Sequence, residues 1–236
     1  MGAVKMERLG LVDYEKALDL QTQMVESLSR GTTTERIFLL EHPHVFTVGR
    51  RRHGSKGGSS QTAHGSIRTI PISRGGDITY HGPGQLVGYP ILDLRRRRRD
   101  VHGYLRKLEE CLIQTVREFG LNAHRREGMT GIWTSEGKLA SIGIAVRKWI
   151  TMHGFALNVA TDLRYFEAID PCGIPGCPVT SMSALAQREI SVAEVLPVLS
   201  RHLKWILRPV AAPQLPGRER PPGEPRRRAK APNTPG

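Results

Sequence analysis

Arg74-Gly75-Gly76-Asp77-Ile78-Thr79-Tyr80-His81-Gly82-Pro83-Gly84-Gln85 decides how this chain is read. Four glycines in so short a span mean that the backbone turns tightly or that something approaches it closely. An arginine and a histidine flank that backbone. The order of residues excludes two phosphate-binding loops, since neither G-x-x-x-x-G-K-[ST] nor G-x-G-x-x-G is present. Taken alone, the pattern also fits a Gly-Pro turn between two strands. Its meaning therefore depends on what accompanies it.

Downstream, Gly137-Lys138-Leu139-Ala140-Ser141-Ile142-Gly143-Ile144 opens an apolar strand with a lysine and places a glycine inside it. A lysine at a strand end is ordinarily solvated. A glycine within a strand points to close approach by a ligand or another backbone. His153-Gly154-Phe155-Ala156-Leu157-Asn158 repeats the theme on a neighbouring strand. Farther on, Pro171-Cys172-Gly173-Ile174-Pro175-Gly176-Cys177-Pro178-Val179-Thr180-Ser181 holds two of the three cysteines. Cys172 stands between Pro and Gly, off any apolar periodic face, which suits a nucleophile better than a core filler. Cys172 and Cys177 are not spaced as C-x-x-C and have no second pair, so zinc is disfavoured and no metal site is expected. The absence of G-x-S-x-G argues against a serine hydrolase elbow.

Outward from these segments the chain alternates helices with groups of strands. Asp13 caps a helix with Tyr14, Ala17, Leu18, Met24, Val25 and Leu28 on one face. Ile37 to Leu40, Val45 to Val48, Arg68 to Ile72 and Leu86 to Leu92 read as strands, and the Arg-, Gly- and Ser-rich residues 50–66 as a mobile loop. Asp100 caps a second helix, closed by Gly120, whose stripe includes Cys111 as a core residue. Leu139 to Val146 and Ile150 to Leu157 follow as strands. Ser191 and Glu194 have capping-box spacing for a last helix, which Pro197 should kink or delay. The grouping predicts an α+β (mixed α/β) domain over 1–208, a mixed sheet flanked by helices. The Pro- and Arg-rich residues 209–236 are expected to be a disordered basic tail.

The chain has 236 residues, enough for one domain and a tail, and no apolar run of membrane-spanning length. Three cysteines and no apolar leader favour a reducing, cytoplasmic setting. The formal charge is +13. Acidic partners suit such a chain, though charge alone does not choose among them. Aromatics make up only 6%, without the interleaving of stacking platforms, so nucleic acid is disfavoured. Five consecutive arginines, Arg95 to Arg99, are more basic than the turn before the second helix needs.

Together the three segments resemble the lipoyl(octanoyl) transferases of lipoate biosynthesis, the octanoyl-acyl-carrier-protein:protein N-octanoyltransferases. That family's R-G-G-x-x-T-x-H-G-P-G-Q matches Arg74 to Gln85, its K-x-x-x-x-G matches Lys138 to Gly143, its H-G-x-A-L-N matches His153 to Asn158, and its P-C-G matches Pro171 to Gly173. The resemblance covers roughly residues 8–207. It implies the fold of the biotin and lipoate protein ligases. It implies Cys172 as the acyl-thioester nucleophile and Lys138 as the lysine that lowers its pKa. It implies substrate contacts at Arg74, Gly75, Gly76, Asp77, Ile78, Thr79, Tyr80 and His81, at Ser141, Ile142 and Gly143, and at Gly154, Phe155 and Ala156. The implied donor is octanoyl-acyl carrier protein. The implied acceptors are lipoyl domains of 2-oxoacid dehydrogenase E2 subunits and the glycine cleavage H protein. No cofactor, nucleic acid or membrane is expected to take part.

The chemistry of the residues agrees. A free thiol has a pKa near 8.5, so an adjacent ammonium that favours the thiolate gives Lys138 a role beyond solvation. Exchange of one thioester for another needs neither ATP nor metal. Gly143, Gly154 and Ala156 would leave room for an acyl tunnel, and backbone N–H groups near Gly143 or Cys172 could steady the oxyanion. Three rivals remain: an ATP-dependent ligase of the same fold, a lipoyl amidotransferase, and a basic nucleic-acid-binding protein.

Overall fold

The computed structural model describes residues 4–50, 59–62, 65–97, 99–171 and 176–206. Arg98, Cys172 and the tail 209–236 lie outside them. In chain order the elements are β1 (Lys5–Leu11), α1 (Tyr14–Arg30), β2 (Arg36–Glu41), β3 (Val45–Val48), β4 (Ser59–Thr62), β5 (Gly65–Pro71), β6 (Ile78–His81), β7 (Gln85–Ile91), α2 (Val101–Arg117), β8 (His124–Arg126), β9 (Met129–Thr134), β10 (Gly137–Arg147), β11 (Ile150–Asn158), α3 (Met182–Ala186) and α4 (Val192–Ile206).

Apolar alternation in β2 builds two cores at once. Ile37 and Leu39 face one side of the sheet, while Phe38 and Leu40 face the other. Central strands β7 and β11 divide in the same way: Leu86, Phe155 and Leu157 join the first side, and Val87, Tyr89 and Ala156 the second. α2 and α4 cover the first side with Leu108, Leu112, Val116, Leu199 and Leu203. α1 covers the second with Ala17, Met24, Val25 and Leu28. Each fully buried aliphatic of this kind contributes about 1.5–3 kcal/mol, and a one-residue slip would exchange the two faces, so register is strongly specified. The main sheet has seven strands in the order β1-β2-β7-β11-β10-β9-β8, mixed because β1 and β2 run parallel. A second sheet, β4-β5-β3-β6, adjoins it. The α+β expectation of a mixed sheet flanked by helices holds.

Several local expectations change. Residues 50–66 are not all loop: β4 and the start of β5 form an antiparallel ladder within them. Their Ser- and Gly-rich sequence conceals it because backbone bonds, not apolar side chains, make the pairing. β1, β6, β8, β9 and α3 were not foreseen. β1 is an edge strand with a largely exposed, charged face, and β8 has only three residues. Pro197 does not delay α4, which starts at Val192 behind the reciprocal Ser191–Glu194 capping box and runs through the proline. The arginine run is partly structural. Arg97 is buried and pairs with buried Glu35 at 2.7 Å, and Arg95 pairs with Asp93 at 2.7 Å. No described helix is long and apolar enough to cross a membrane.

Candidate active site

β6, β10 and β11 and the turn before β6 surround a cavity of about 630 Å³. Arg74, Gly75, Gly76, Asp77, Ile78, Thr79 and His81 line it, as do Ser141, Ile142, Gly143, Gly154, Phe155, Ala156 and Lys138. Segments far apart in sequence thus meet on one wall. Tyr80 does not join them. Between Thr79 and His81 on a strand, it points to the opposite side, where its ring stacks on Tyr165 at 4.9 Å and its hydroxyl meets His44 Nδ1 at 2.6 Å. Cys172 lies outside the described residues; Pro171, before it in sequence, lines the cavity.

What approaches Gly143 is the Arg74 side-chain stem and the Gly75 backbone. A Cβ there would lie 2.8 Å from Arg74 Cδ and 3.1 Å from the Gly75 carbonyl oxygen, and the Gly75 N–H donates to the Ile144 carbonyl at 3.1 Å. A Cβ at Gly154 would collide with the Gly88 carbonyl. The two glycines bring chain segments into contact around the cavity, and the space a side chain would take is filled by protein.

Lys138 is only 5% exposed, against the ordinary expectation for a lysine at a strand end. The segment that follows the Pro-Cys-Gly loop accounts for this. Lys138 N–H donates to the Pro178 carbonyl at 2.8 Å, Thr180 N–H donates to the Lys138 carbonyl at 3.0 Å, and Lys138 and Val179 form a parallel bridge. Below it, Nζ lies 5.2 Å from the centroid of the buried Trp133 ring. Gly131, at φ +124, lets the stem pass: a Cβ there would stand 3.0 Å from Lys138 Cε.

A directed chain of hydrogen bonds ties these pieces together. Gln85 Nε2 donates to Asn158 Oδ1 at 2.9 Å and to the Tyr80 carbonyl at 3.1 Å, so its Oε1 is the acceptor facing His81 Nδ1 at 2.8 Å. His81 Nδ1 therefore carries the proton, and Nε2 accepts from Thr47 Oγ1 at 3.3 Å. Thr47 Oγ1 in turn accepts from Arg74 Nη2 at 3.0 Å. At the far end Asn158 Nδ2 donates to the Thr180 carbonyl at 3.0 Å. Every donor points the same way, from Arg74 to the segment that pairs with Lys138. The chain needs neutral His81, and burial above all, with the His42 and Arg74 charges, holds its pKa well below the usual histidine value.

His153 was read only as part of its motif. Its φ is +56, an unusual conformation for a β-strand residue. Its N–H donates to Gln21 Oε1 at 2.7 Å, which explains a buried glutamine on the apolar face of α1. Burial, then the Arg74 and Arg50 charges, bring its pKa down to about 4, so the ring is neutral near pH 7. Its Nδ1 and the Thr79 hydroxyl are buried without a hydrogen-bond partner, and both residues line the cavity. Such atoms call for a bound molecule or water. Tyr14 and Tyr89 also line it, and the strand and helix patterns gave no sign of either as wall residues. Cys111, by contrast, is fully buried in the α2 core, and burial pushes its thiol pKa up, as befits an inert thiol.

Arranged thus, the wall combines a half-apolar, partly open cleft with a buried lysine. The backbone resembles the crystal structure of lipoate-protein ligase A bound with ATP, with a TM-score of 0.64 at 18% identity over 87% of this chain and 86% of that one. The fold is thereby that of the lipoate-protein ligases. More narrowly, the chain belongs to the lipoyl protein ligase A/B catalytic domain family, whose model matches residues 13–204. It is 52% identical over 188 residues to the octanoyltransferase of Geobacter metallireducens, covering 79% of this chain and 85% of the relative. Against the octanoyltransferase of Syntrophotalea carbinolica it is 46% identical over 205 residues, covering 87% and 95%. Within its family the chain is an acyltransferase.

Proposed function

We propose that the protein transfers an octanoyl group from octanoyl-acyl carrier protein to a lysine of lipoyl domains in the cytoplasm, by way of a thioester on Cys172. The observation that carries this reading is the setting of Lys138: buried on the wall of the cavity that Pro171 also lines, and bonded through its backbone to the segment that follows the Pro-Cys-Gly loop.

In the first half-reaction, the Lys138 ammonium favours the Cys172 thiolate. The thiolate attacks the donor carbonyl, a C–S bond forms to Cys172, the bond to the carrier's sulfur breaks, and the released thiolate takes its proton from the Lys138 ammonium, which is left neutral. In the second, the neutral amine of the acceptor lysine attacks the acyl-enzyme. Its surplus proton passes to neutral Lys138, and the Cys172 thiolate leaves as the amide forms. The wall's unpartnered polar atoms, Thr79 Oγ1 and His153 Nδ1, suit polar groups of the thioester arm. Lipoyl domains of 2-oxoacid dehydrogenase E2 subunits and the glycine cleavage H protein are the acceptors, and residues 1–208 hold the whole catalytic unit.

Purified protein, octanoyl-acyl carrier protein and a lipoyl domain, mixed without nucleotide, should give an octanoylated domain. An absolute requirement for ATP would instead make the protein a ligase.

A further inference from the structure

The β10–β11 turn presents a feature that acyl chemistry does not use. Arg147 and Ile150 pair across the hairpin, leaving Lys148 and Trp149 as a two-residue loop with φ of 51° and 66°. This left-handed loop strongly prefers Asn-Gly. A lysine and a tryptophan there are strained, and such strain persists where surrounding structure enforces it, often for function. Trp149 is nevertheless 39% exposed, one of two exposed large apolar side chains among the described residues. Arg99, itself at φ 51, places its guanidinium 5.8 Å from the indole centroid. The Trp149 carbonyl accepts from Leu94 N–H at 2.8 Å, which anchors the hairpin beside the arginine run.

Further cations lie on the same hairpin and on the turn before α2. Arg95, Arg96, Arg99, Arg147 and Lys148 are exposed. Of the nearby carboxylates, Asp93 is buried and pairs with Arg95 at 2.7 Å and Arg96 at 3.8 Å, and exposed Asp100 is engaged as the cap of α2, its Oδ1 accepting from the Gly103 N–H at 2.8 Å. Arg99, Arg147 and Lys148 form no ion pair with a carboxylate among the described residues. The patch also adjoins the cavity. Ile144 and His153 line it and lie three residues from Arg147 and Ile150, about 10 Å along a strand. Leu105, also lining, is four residues beyond Val101, the first residue of α2, about 6 Å along the helix.

We infer that this strained, tryptophan-centred basic patch docks the acidic surface of the carrier protein that delivers the thioester. The inference rests on the proposed function and adds the place where the donor binds. Chemistry favours donor over acceptor. A carrier holds its thioester on a phosphodiester-linked arm, an anion that a cationic rim attracts, whereas the acceptor approaches with a lysine, a cation until deprotonated. Trp149 supplies the rigid anchor such an interface commonly needs, and the arginines and lysine supply steering.

The test exploits the strain. Lys148→Asn/Trp149→Gly installs the sequence the turn prefers, so Tm should hold or rise while the docking residues are lost. With this double variant, KM for octanoyl-acyl carrier protein should rise about tenfold or more. Kinetics with octanoyl-pantetheine, which has no protein surface, and KM for the lipoyl domain should stay within about twofold. For the wild type, added salt should raise the carrier KM steeply, and much less so for the variant. An unchanged carrier KM would overturn the inference, as would a rise confined to the lipoyl domain or an equal loss with octanoyl-pantetheine. Salt-sensitive binding of the wild type to DNA or anionic vesicles that the variant loses, with the carrier KM unmoved, would assign the patch elsewhere and equally overturn it. Failure of the underlying reading looks different: the wild type would then transfer octanoyl from neither thioester.

Discussion

Lys138 shows how far local sequence can mislead. A cation opening a strand is ordinarily solvated, yet this one is 5% exposed. What buries it is Pro178 to Thr180, a segment far along the chain that returns to pair with it, and a Trp133 face that only the β9–β10 register supplies. No periodicity in residues 137–144 reports such long-range partners. The motif resemblance assigned Lys138 a role that the local pattern did not support. If it pairs with the Cys172 thiolate, Lys138→Ala should raise the thiol pKa, each unit corresponding to about 1.4 kcal/mol. It should slow transfer by about 10²–10⁴-fold, the usual span of acid–base assistance. Lys138→Arg keeps the charge but stays protonated, so acyl-enzyme should still form while transfer to the acceptor fails. Thiol alkylation rate against pH, alongside single-turnover transfer, distinguishes these outcomes. Superimposable alkylation profiles for wild type and Lys138→Ala would remove the ion pair from the account.

The strands explain why the motif residues stand where they do. Gly143 is small so that the Arg74 side chain and the Gly75 backbone can settle on β10, and Gln85 and Asn158 connect β7 and β11 to the segment beside Lys138. The sequence marked both residues as motif members without saying what they touch. Tyr80, grouped with its neighbours in sequence, faces away because a strand alternates. The hydrogen-bond chain has a direction, which makes it testable. Asn158→Asp preserves the acceptor for Gln85 but sets a carboxylate against the Thr180 carbonyl. Leaving that carbonyl unsatisfied should cost about 1–3 kcal/mol of stability. It should also lower kcat with little change in KM, since the displaced segment pairs with Lys138 and not with the carrier. Urea midpoints and steady-state kinetics check both halves. Wild-type values for both would show that the chain does not position the site.

The fold joins two cores through one mixed sheet and places the cavity where that sheet meets the second, smaller one. Strongly apolar strands and the two long amphipathic helices were readable, because burial on one or both faces leaves a periodic signature. β1, β4 and β8 were not, since they are exposed or held mainly by backbone bonds. The arginine run had no reading as structure until Glu35 and Asp93 were found beside it. Charge on this chain thus serves three ends: a buried ion pair at Arg97, a paired turn at Arg95, and an exposed rim around Trp149. The proposed reaction turns on a covalent octanoyl group on Cys172. Intact mass spectrometry of the full chain, incubated with octanoyl-acyl carrier protein and no acceptor, tests it most directly. One added octanoyl group is expected, lost on adding a lipoyl domain and absent from Cys172→Ala but not from Cys177→Ala. Wild-type protein that transfers octanoyl while never gaining that mass, or Cys172→Ala that gains it equally, would contradict it.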